Sequence, residues 1–280
     1  MSFKLKIIFV PKSNSSRILV GQPLDNDLDV GAAVYAGKEV SVQVFNEASV
    51  LSPGSATGSF EVIGRLLSPL AREEVGTISC VGLNYKQHAS EVNLAIPTVP
   101  TLFLKPNTAL ADPWPAPTIL PKITVADGTG DYESELAVII SKEAKNISEE
   151  EAADYILGYT AANDSQWCFS KGFDGSCHLG PTIVSSLLIS DPSVLRVGGL
   201  KNGRVLQDCG VDDVIFSIPK LISFLSQGTT LPAGTVIITG TPAGVGVSKK
   251  PQDFVKAGDK FAVEITPFIG TLMTEFENKE

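Results

Sequence analysis

Residues 131–141 read DYESELAVIIS, and this stretch indicates the class of fold. Its second half, Leu136–Ser141, is a short and continuous apolar run, which is typical of a strand buried on both faces. Similar patterns on either side predict further strands at Leu5–Val10, Gly76–Val81, Thr235–Thr239 and Lys260–Ile265. Because 25 glycines and 18 prolines favour many turns, we predict a β-rich α+β protein with few helices.

Local signals also predict the elements between these strands. We expect a hairpin over Gly31–Gln43 and a short helix over Phe60–Leu67. Ser148 and Glu151 form a capping box, which predicts a helix beginning after Ser148. The apolar segment Gly158–Ala162 is expected to be a turn.

The remaining helix and the domain boundary follow from the same reasoning. Pro219–Ser226 is predicted to be a helix, with proline in its first turn and Gly228 where a C-cap belongs. A loop rich in glycine and serine precedes a soft boundary near residue 72. The predicted domains are a small N-terminal β-rich domain, 1–72, and a catalytic domain, 73–280.

The composition is that of a protein with a sizeable core. Of 280 residues, 43% are hydrophobic and 19% are charged, which argues against disorder. The net charge of −9 argues against nucleic acid and membrane surfaces as partners. No segment resembles a signal peptide and none of the four cysteines forms a CxxC pair. We therefore expect a cytoplasmic protein whose cysteines are buried free thiols.

Three carboxylates are candidates for a metal site. Glu133 and Glu135, at i and i+2, project to the same side of a strand, and a divalent cation would remove their mutual repulsion. Asp164 is a candidate third ligand, and three carboxylates suit Mg²⁺ or Mn²⁺, whereas two histidines and no clustered thiols argue against zinc. On spacing alone an exposed pair on an edge strand is the more common arrangement, and Asp164 can also cap a turn.

A second candidate pair is His88 and Glu91. At i and i+3 they are neighbours on one face of a helix, where a carboxylate orients an imidazole as a general base. An ordinary surface pair on a helix is the more common arrangement of such residues.

Two lysines and a glycine-rich turn carry weaker signals. Lys105 and Lys171 each lie among apolar residues, where a buried ammonium needs a partner such as a substrate carboxylate. The segment 239–246, TGTPAGVG, exposes backbone N–H groups that can receive an anion, although it lacks the spacing of a P-loop. Solvated lysines and a plain turn remain the alternatives.

Seven motifs occur in a fixed order along the chain. They are GLNYxxHxxE, FLKP, DYExEL, GYTxxND, FSKGFDG with LGP, NGRxxQ and TGTPAGVG. In this order, from about Val81 to the end, the sequence closely resembles the fumarylacetoacetate hydrolase family. The resemblance implies a mixed β-sandwich roll with a small N-terminal domain, a homodimer, and activity on 1,3-dicarbonyl or oxo-acid substrates.

The resemblance also implies roles for individual residues. Glu133, Glu135 and Asp164 match metal ligands that bind Mg²⁺, with Mn²⁺ as the alternative. His88 and Glu91 match a dyad that activates water on a lid segment, and Lys171 matches a lysine that binds the oxo-acid group. Substrate contacts are implied for four further residues: Tyr85, Lys105, Gln166 and Thr241.

One departure from the family pattern affects the predicted function. Asp164 runs directly into Ser165 and Gln166, so a block that usually carries an arginine and a glutamine is missing. Gln166 can stand in for the glutamine, but no arginine is nearby, and a lost arginine weakens the binding of an anionic substrate. His178 occupies a position where many relatives have proline; it is either a loop residue or a new acid/base group.

Three functions therefore remain open. The first is a metal-dependent hydrolase or decarboxylase that acts on a C–C bond of an acylpyruvate or oxaloacetate type of substrate. The second is a repurposed enzyme of secondary metabolism, an isomerase, dehydratase or C–C bond-forming lyase with a larger substrate. The third is a non-enzymatic member that keeps only the fold.

Overall fold

A computed structural model describes residues 4–165 and 171–278 of the chain. Gln166 and Cys168, for which the sequence makes predictions, lie outside the described residues. Within those ranges the chain forms sixteen strands and four α-helices. The helices are α1 (Val30–Tyr35), α2 (Lys86–Glu91), α3 (Lys122–Asp127) and α4 (Ile218–Ser226). The strands are β1 (Leu5–Pro11), β2 (Leu19–Pro23), β3 (Ser41–Phe45), β4 (Ala56–Leu67), β5 (Thr77–Gly82), β6 (Thr101–Pro106), β7 (Leu110–Ala111), β8 (Pro117–Leu120), β9 (Ser134–Ile140), β10 (Ile156–Asp164), β11 (Cys177–Ser185), β12 (Arg196–Lys201), β13 (Arg204–Gly210), β14 (Val236–Ile238), β15 (Lys260–Thr266) and β16 (Gly270–Asn278).

Two sheets pack against each other. In the described ranges the larger sheet has eleven strands in the order β2-β3-β4-β1-β11-β10-β9-β14-β5-β6, with β7 paired to β11. The smaller sheet has five, in the order β13-β12-β15-β16-β8. This strand-rich arrangement confirms the predicted β-rich α+β class.

Strand β9 lies near the middle of the larger sheet and is buried on both faces. Leu136, Val138 and Ile140 belong to a core shared with the smaller sheet, whereas Ala137 and Ile139 belong to a second core on the opposite face. A strand between two cores needs apolar residues at every position, which explains the continuous run in the sequence.

The other strands predicted from apolar runs are confirmed as β1, β5, β14 and β15. The predicted helix over Pro219–Ser226 is confirmed as α4. Ser217 accepts a hydrogen bond from the Lys220 backbone N–H as the N-cap, and Gly228 follows the helix with a φ of +68°. The helix signals worked here because capping and apolar periodicity agree.

Three local predictions are wrong. The first half of the predicted hairpin over Gly31–Gln43 is helix α1, whose N-cap Asp29 accepts from the Ala32 backbone N–H. The predicted helix over Phe60–Leu67 is part of β4, which is paired with β1 and β3. The predicted turn over Gly158–Ala162 lies inside β10. In the last two segments pairing with neighbouring strands overrides weak local preferences.

The capping box at Ser148 and Glu151 forms as predicted, but the helix does not. Each residue hydrogen-bonds the backbone N–H of the other, at 3.0 and 3.3 Å. Only a 3₁₀ turn, Ala152–Tyr155, follows, because the chain enters β10 at Ile156. A capping box marks the start of a helical turn and not its length.

The N-terminal segment shares a sheet with the rest of the chain. Strand β1 pairs with β4 and β2 and also with β11, in the register Leu5 to Val184. The boundary near residue 72 remains a prediction. Among the described cysteines, Cys80, Cys177 and Cys209 are buried free thiols. None of the helices in the described ranges has the length and apolar character that crossing a membrane requires.

Candidate metal centre and active site

Strands β9 and β10 bring the three predicted carboxylates together at one end of the larger sheet. The strands are antiparallel, with Ala162 opposite Glu135, and the Asp164 backbone N–H donates to the Glu133 carbonyl at 3.0 Å. One ligand oxygen from each of Glu133, Glu135 and Asp164 lies within 4.8 Å of the others. Glu135 and Asp164 are buried and Glu133 is half-buried. Such a convergence excludes the exposed pair that spacing alone favours.

Two buried lysines contact this cluster. Lys171 donates to Glu133 at 2.7 Å and also to Asp164. Lys105, on the edge strand β6, donates to the other oxygen of Asp164 and to the Ser176 carbonyl at 2.9 Å. The larger sheet therefore curls, because its edge strand reaches the ends of β10 and β11.

Burial and charge separate the pKa values of the three acids. Burial raises the pKa of Glu133 to about 7 and that of Glu135 well above its ordinary value, and the neighbouring carboxylates add to both shifts. Burial would also raise the pKa of Asp164, but the ammonium groups of Lys105 and Lys171 outweigh it and hold that pKa below its ordinary value. Glu133 and Glu135 therefore lack enough neighbouring positive charge to stabilise their ionised forms.

The donor set fits a hard divalent cation. Within residues 4–165 and 171–278 this is the only cluster of three or more His, Cys, Asp or Glu side chains with such close ligand atoms. All its donors are carboxylate oxygens, which Mg²⁺ and Mn²⁺ prefer. With all three carboxylates ionised, as metal binding requires, the two ammonium groups leave one net negative charge, and a divalent ion would leave one net positive charge for an anionic substrate.

We expect the affinity for Mg²⁺ to rise with pH. Protons on Glu133 and Glu135 compete with the cation, so the affinity should rise at least about tenfold per pH unit below the Glu133 pKa of about 7, and it should continue to rise above that pKa while Glu135 keeps its proton. In the metal-free protein the raised pKa of Glu133 stabilises the fold at pH values below its ordinary pKa of 4.5. This stabilisation is lost as the pH rises through about 7. Calorimetric Mg²⁺ titrations on both sides of this pKa measure the first effect; an affinity independent of pH would contradict it.

Helix α2 carries the second candidate pair. His88 Nδ1 and Glu91 Oε2 are 3.0 Å apart, and both side chains are partly exposed. The Glu91 carboxylate in turn accepts from the Gly244 backbone N–H, at 2.9 and 3.1 Å. The pair is therefore attached to the glycine-rich turn, and it is not an isolated surface pair.

The glycine-rich turn binds carboxylates of this chain. The Gly240 backbone N–H donates to Glu135 Oε2 at 2.6 Å, four residues before the Gly244 contact with Glu91. The sequence predicted an anion at these N–H groups, and in the structure the anions are side chains. At Gly244, φ is +115° and a Cβ atom would lie 2.0 Å from the Leu206 carbonyl oxygen, so only glycine fits.

Two buried residues that hold this turn were not predicted from the sequence. Asp131 accepts from the backbone N–H groups of Gly246 and Val247, at 2.7 and 2.9 Å. Gln207 donates to Pro242 O at 2.8 Å. Both residues stand in the quoted motifs, DYExEL and NGRxxQ, but polar side chains show no local periodicity that would have assigned them a partner.

Three of the predicted substrate contacts have partners within the protein or are buried, and their contact with a substrate remains a prediction. Tyr85 is fully buried, and its hydroxyl has no hydrogen-bond partner in the described ranges. Lys105 is fully buried, and its predicted substrate partner is replaced by Asp164. The Thr241 hydroxyl donates to the Ser134 carbonyl and accepts from Gln207. In this structure the three side chains are buried within the protein, and a substrate contact would require them to move.

His178 is a buried strand residue, so the prediction of a loop residue is wrong. It lies in β11 opposite Asn163, and its Nε2 is 3.0 Å from the Thr118 hydroxyl. Burial lowers its pKa to about 3, so the imidazole is neutral. A fully buried ring is a poor acid/base group for a substrate.

We expect Lys105→Met to destabilise the metal-free protein by about 3 kcal/mol, because it removes one of the two ammonium groups that compensate the buried charge of Asp164 and leaves only Lys171. Mg²⁺ should recover part of this loss by supplying positive charge. Denaturant unfolding with and without Mg²⁺ measures both effects. The control is Lys12→Met, which removes the exposed pair with Glu39 and should cost far less, because solvent screens an exposed pair. Equal costs for the two variants would contradict the prediction.

Comparison with known proteins identifies the family. A sequence model of the C-terminal domain of fumarylacetoacetate (FAA) hydrolase matches residues 77–277. This chain belongs to the fumarylacetoacetate hydrolase family. The match confirms the family predicted from the sequence motifs and, with it, the prediction that the chain is an enzyme.

Three relatives illustrate the range within the family. A caffeoylpyruvate hydrolase of Neonothopanus nambi is 40% identical over 95% of this chain and 91% of its own length. An oxaloacetate tautomerase of Bacillus subtilis is 37% identical over 80% of this chain and 77% of its own. The crystal structure of 2-hydroxyhepta-2,4-diene-1,7-dioate isomerase from Mycobacterium marinum has a TM-score of 0.78 and 28% identity, and the match covers 99% of each chain.

Proposed function

We propose that this chain is a Mg²⁺-dependent hydrolase that cleaves the C–C bond of an acylpyruvate. One observation carries the proposal: a single turn holds Glu135 through the Gly240 N–H and Glu91 through the Gly244 N–H. It joins a carboxylate cluster suited to a divalent ion to a histidine with an orienting carboxylate. The similarity to a caffeoylpyruvate hydrolase over 95% of the chain supports the substrate class.

Glu133, Glu135 and Asp164 would hold the cation, with Mn²⁺ able to replace Mg²⁺. When bound, it supplies a Lewis acid for the 2-oxo acid group of the substrate. Lys171 already lies against Glu133 and Asp164, where its ammonium would bind a substrate anion and stabilise developing negative charge.

His88 would act as the general base. If Nδ1 donates its proton to Glu91, Nε2 keeps a lone pair and can accept a proton from water. The hydroxide attacks the acyl carbonyl, and the bond between that carbon and the adjacent methylene breaks. The bond electrons leave as the enolate of pyruvate, which takes up a proton, so that the products are a carboxylate and pyruvate.

The test compares wild type and His88→Ala on an aryl-substituted acylpyruvate and on acetylpyruvate, with Mg²⁺ and with a chelator. We expect pyruvate release that needs both Mg²⁺ and His88. No pyruvate release by a protein that binds Mg²⁺ tightly would contradict the proposal and favour a repurposed enzyme with a larger substrate.

A second candidate is tautomerisation of oxaloacetate, which the similarity to the oxaloacetate tautomerase of Bacillus subtilis favours. The same cluster with its cation would bind the 2-oxo acid, and a proton would move between carbon and oxygen without cleavage of a C–C bond. Loss of the enol absorbance without pyruvate or CO₂ formation identifies this reaction. Pyruvate and CO₂ formation would instead identify decarboxylation.

We also propose a homodimer. Its support is an exposed apolar region on the edge strand β6 and the segment before it, formed by Leu94, Ile96, Val99, Leu102 and Leu104. Several large apolar side chains exposed close together in the chain are typical of a surface that another protein covers. Light scattering of wild type and Leu104→Asp measures the mass; a wild-type monomer would contradict the proposal.

A further inference from the structure

The side chain of Gln207, on β13, is almost fully buried and lies between the start of β9 and the glycine-rich turn. Its Oε1 accepts from the Ser134 backbone N–H at 3.0 Å. Its Nε2 donates to the Thr241 hydroxyl at 2.7 Å and to the Pro242 carbonyl at 2.8 Å. One amide thus connects β9 to the glycine-rich turn.

These hydrogen bonds replace the backbone pairing between β14 and β9 beyond the end of β14. Strand β14 pairs with β9 only as far as Ile238 opposite Ala137, so Ser134 has no strand partner on that side. Gln207 Oε1 accepts from the Ser134 N–H, and the Thr241 hydroxyl donates to the Ser134 carbonyl at 3.2 Å. Two side chains replace the backbone groups that a longer β14 would have provided.

The position of Ser134 makes this replacement important for the site. Ser134 stands between Glu133 and Glu135, so its backbone sets the direction in which both carboxylates project. On its other side the amide holds Thr241 and Pro242, in the turn that contacts Glu135 and, farther on, Glu91.

Gly199, on β12, provides the space for the amide. A Cβ atom there would lie 2.5 Å from the Ser134 hydroxyl and 2.8 Å from Gln207 Oε1. At the adjacent Gly198 the nearest atom would be 3.6 Å away, an ordinary contact. An added methyl group would therefore meet very different surroundings at these two neighbouring glycines of one strand.

We propose that Gln207, seated on Gly199, is a positioning residue that fixes the metal ligands and the His88–Glu91 pair relative to each other. It contacts no carboxylate of the cluster, and it acts through Ser134 and the glycine-rich turn. The consequence for catalysis rests on the proposed function, whereas the consequence for the backbone of Ser134 does not.

The test uses Gln207→Met and Gly199→Ala, with Gly198→Ala as the matched control. In the metal-free protein we expect both test variants to speed amide hydrogen exchange at Ser134 by about fivefold, the effect of losing one hydrogen bond of ordinary net strength. The dissociation constant for Mg²⁺, measured by calorimetry well below the melting temperature, should rise about tenfold or more. At saturating Mg²⁺, kcat should fall more than KM rises, because the Gly244 contact with Glu91 shifts as well.

Gly198→Ala should leave all four quantities within about twofold of wild type, since its methyl group meets only ordinary contacts. The proposal is overturned if Gln207→Met lowers the melting temperature but changes neither exchange at Ser134 nor the Mg²⁺ affinity. If wild type itself neither binds Mg²⁺ nor releases pyruvate, the proposed function fails, and the exchange measurement still decides the role of Gln207.

Discussion

Glu135→Gln is expected to abolish Mg²⁺ binding and to lower kcat/KM by about a thousandfold, which corresponds to about 4 kcal/mol of lost transition-state stabilisation. A neutral amide is a much weaker ligand for a hard cation than a carboxylate. Its oxygen can still accept from the Gly240 backbone N–H, so the turn keeps its anchor. The lower kcat/KM should therefore result from the weaker metal ligand and not from a change in the structure of the site.

The same substitution should not destabilise the metal-free protein at neutral pH. Burial and the neighbouring carboxylates raise the pKa of Glu135 well above its ordinary value, which shows that its charged form is disfavoured there. A neutral side chain of equal size relieves this cost. Denaturant unfolding and calorimetry measure the two effects, with the exposed Glu143→Gln as control. Retention of tight Mg²⁺ binding by Glu135→Gln would contradict the assignment of the metal site.

His88→Ala is expected to lower kcat by about a hundredfold to ten-thousandfold while Mg²⁺ affinity stays within about twofold. The imidazole contacts Glu91 and none of the three carboxylates of the cluster, so its removal should affect water activation and leave the cation site intact. Glu91→Gln should have an intermediate effect, because the amide oxygen still accepts from Gly244 but no longer stabilises an imidazolium.

Gln87→Ala is the control for this pair, since its exposed side chain lies on the same helix one residue before His88. Steady-state kinetics and Mg²⁺ calorimetry on the three variants separate catalysis from metal binding. If His88→Ala retained wild-type kcat, His88 would not be the base, and another group would have to accept the proton from water.

Parts of the fold that depend on local signals were predictable from the sequence. The run Leu136–Ser141 predicted a strand because residues buried on both faces must all be apolar, and α4 was predicted because a cap, a proline and an apolar face agree. Phe60–Leu67 was misassigned because its conformation depends on β1 and β3, to which it is paired.

The candidate site divides in the same way. By itself the sequence determined the strand at whose start Glu133 and Glu135 lie, the proximity of His88 to Glu91, and, through seven ordered motifs, the family. Only the tertiary structure decided that Lys105 belongs to Asp164, that the glycine-rich turn binds Glu91 and Glu135, and that Gln207 connects that turn to Ser134. The physical reason is that spacing along a strand or helix dictates which neighbours share a face. Contacts between residues far apart in the chain depend instead on how a curled sheet brings its edges and turns together.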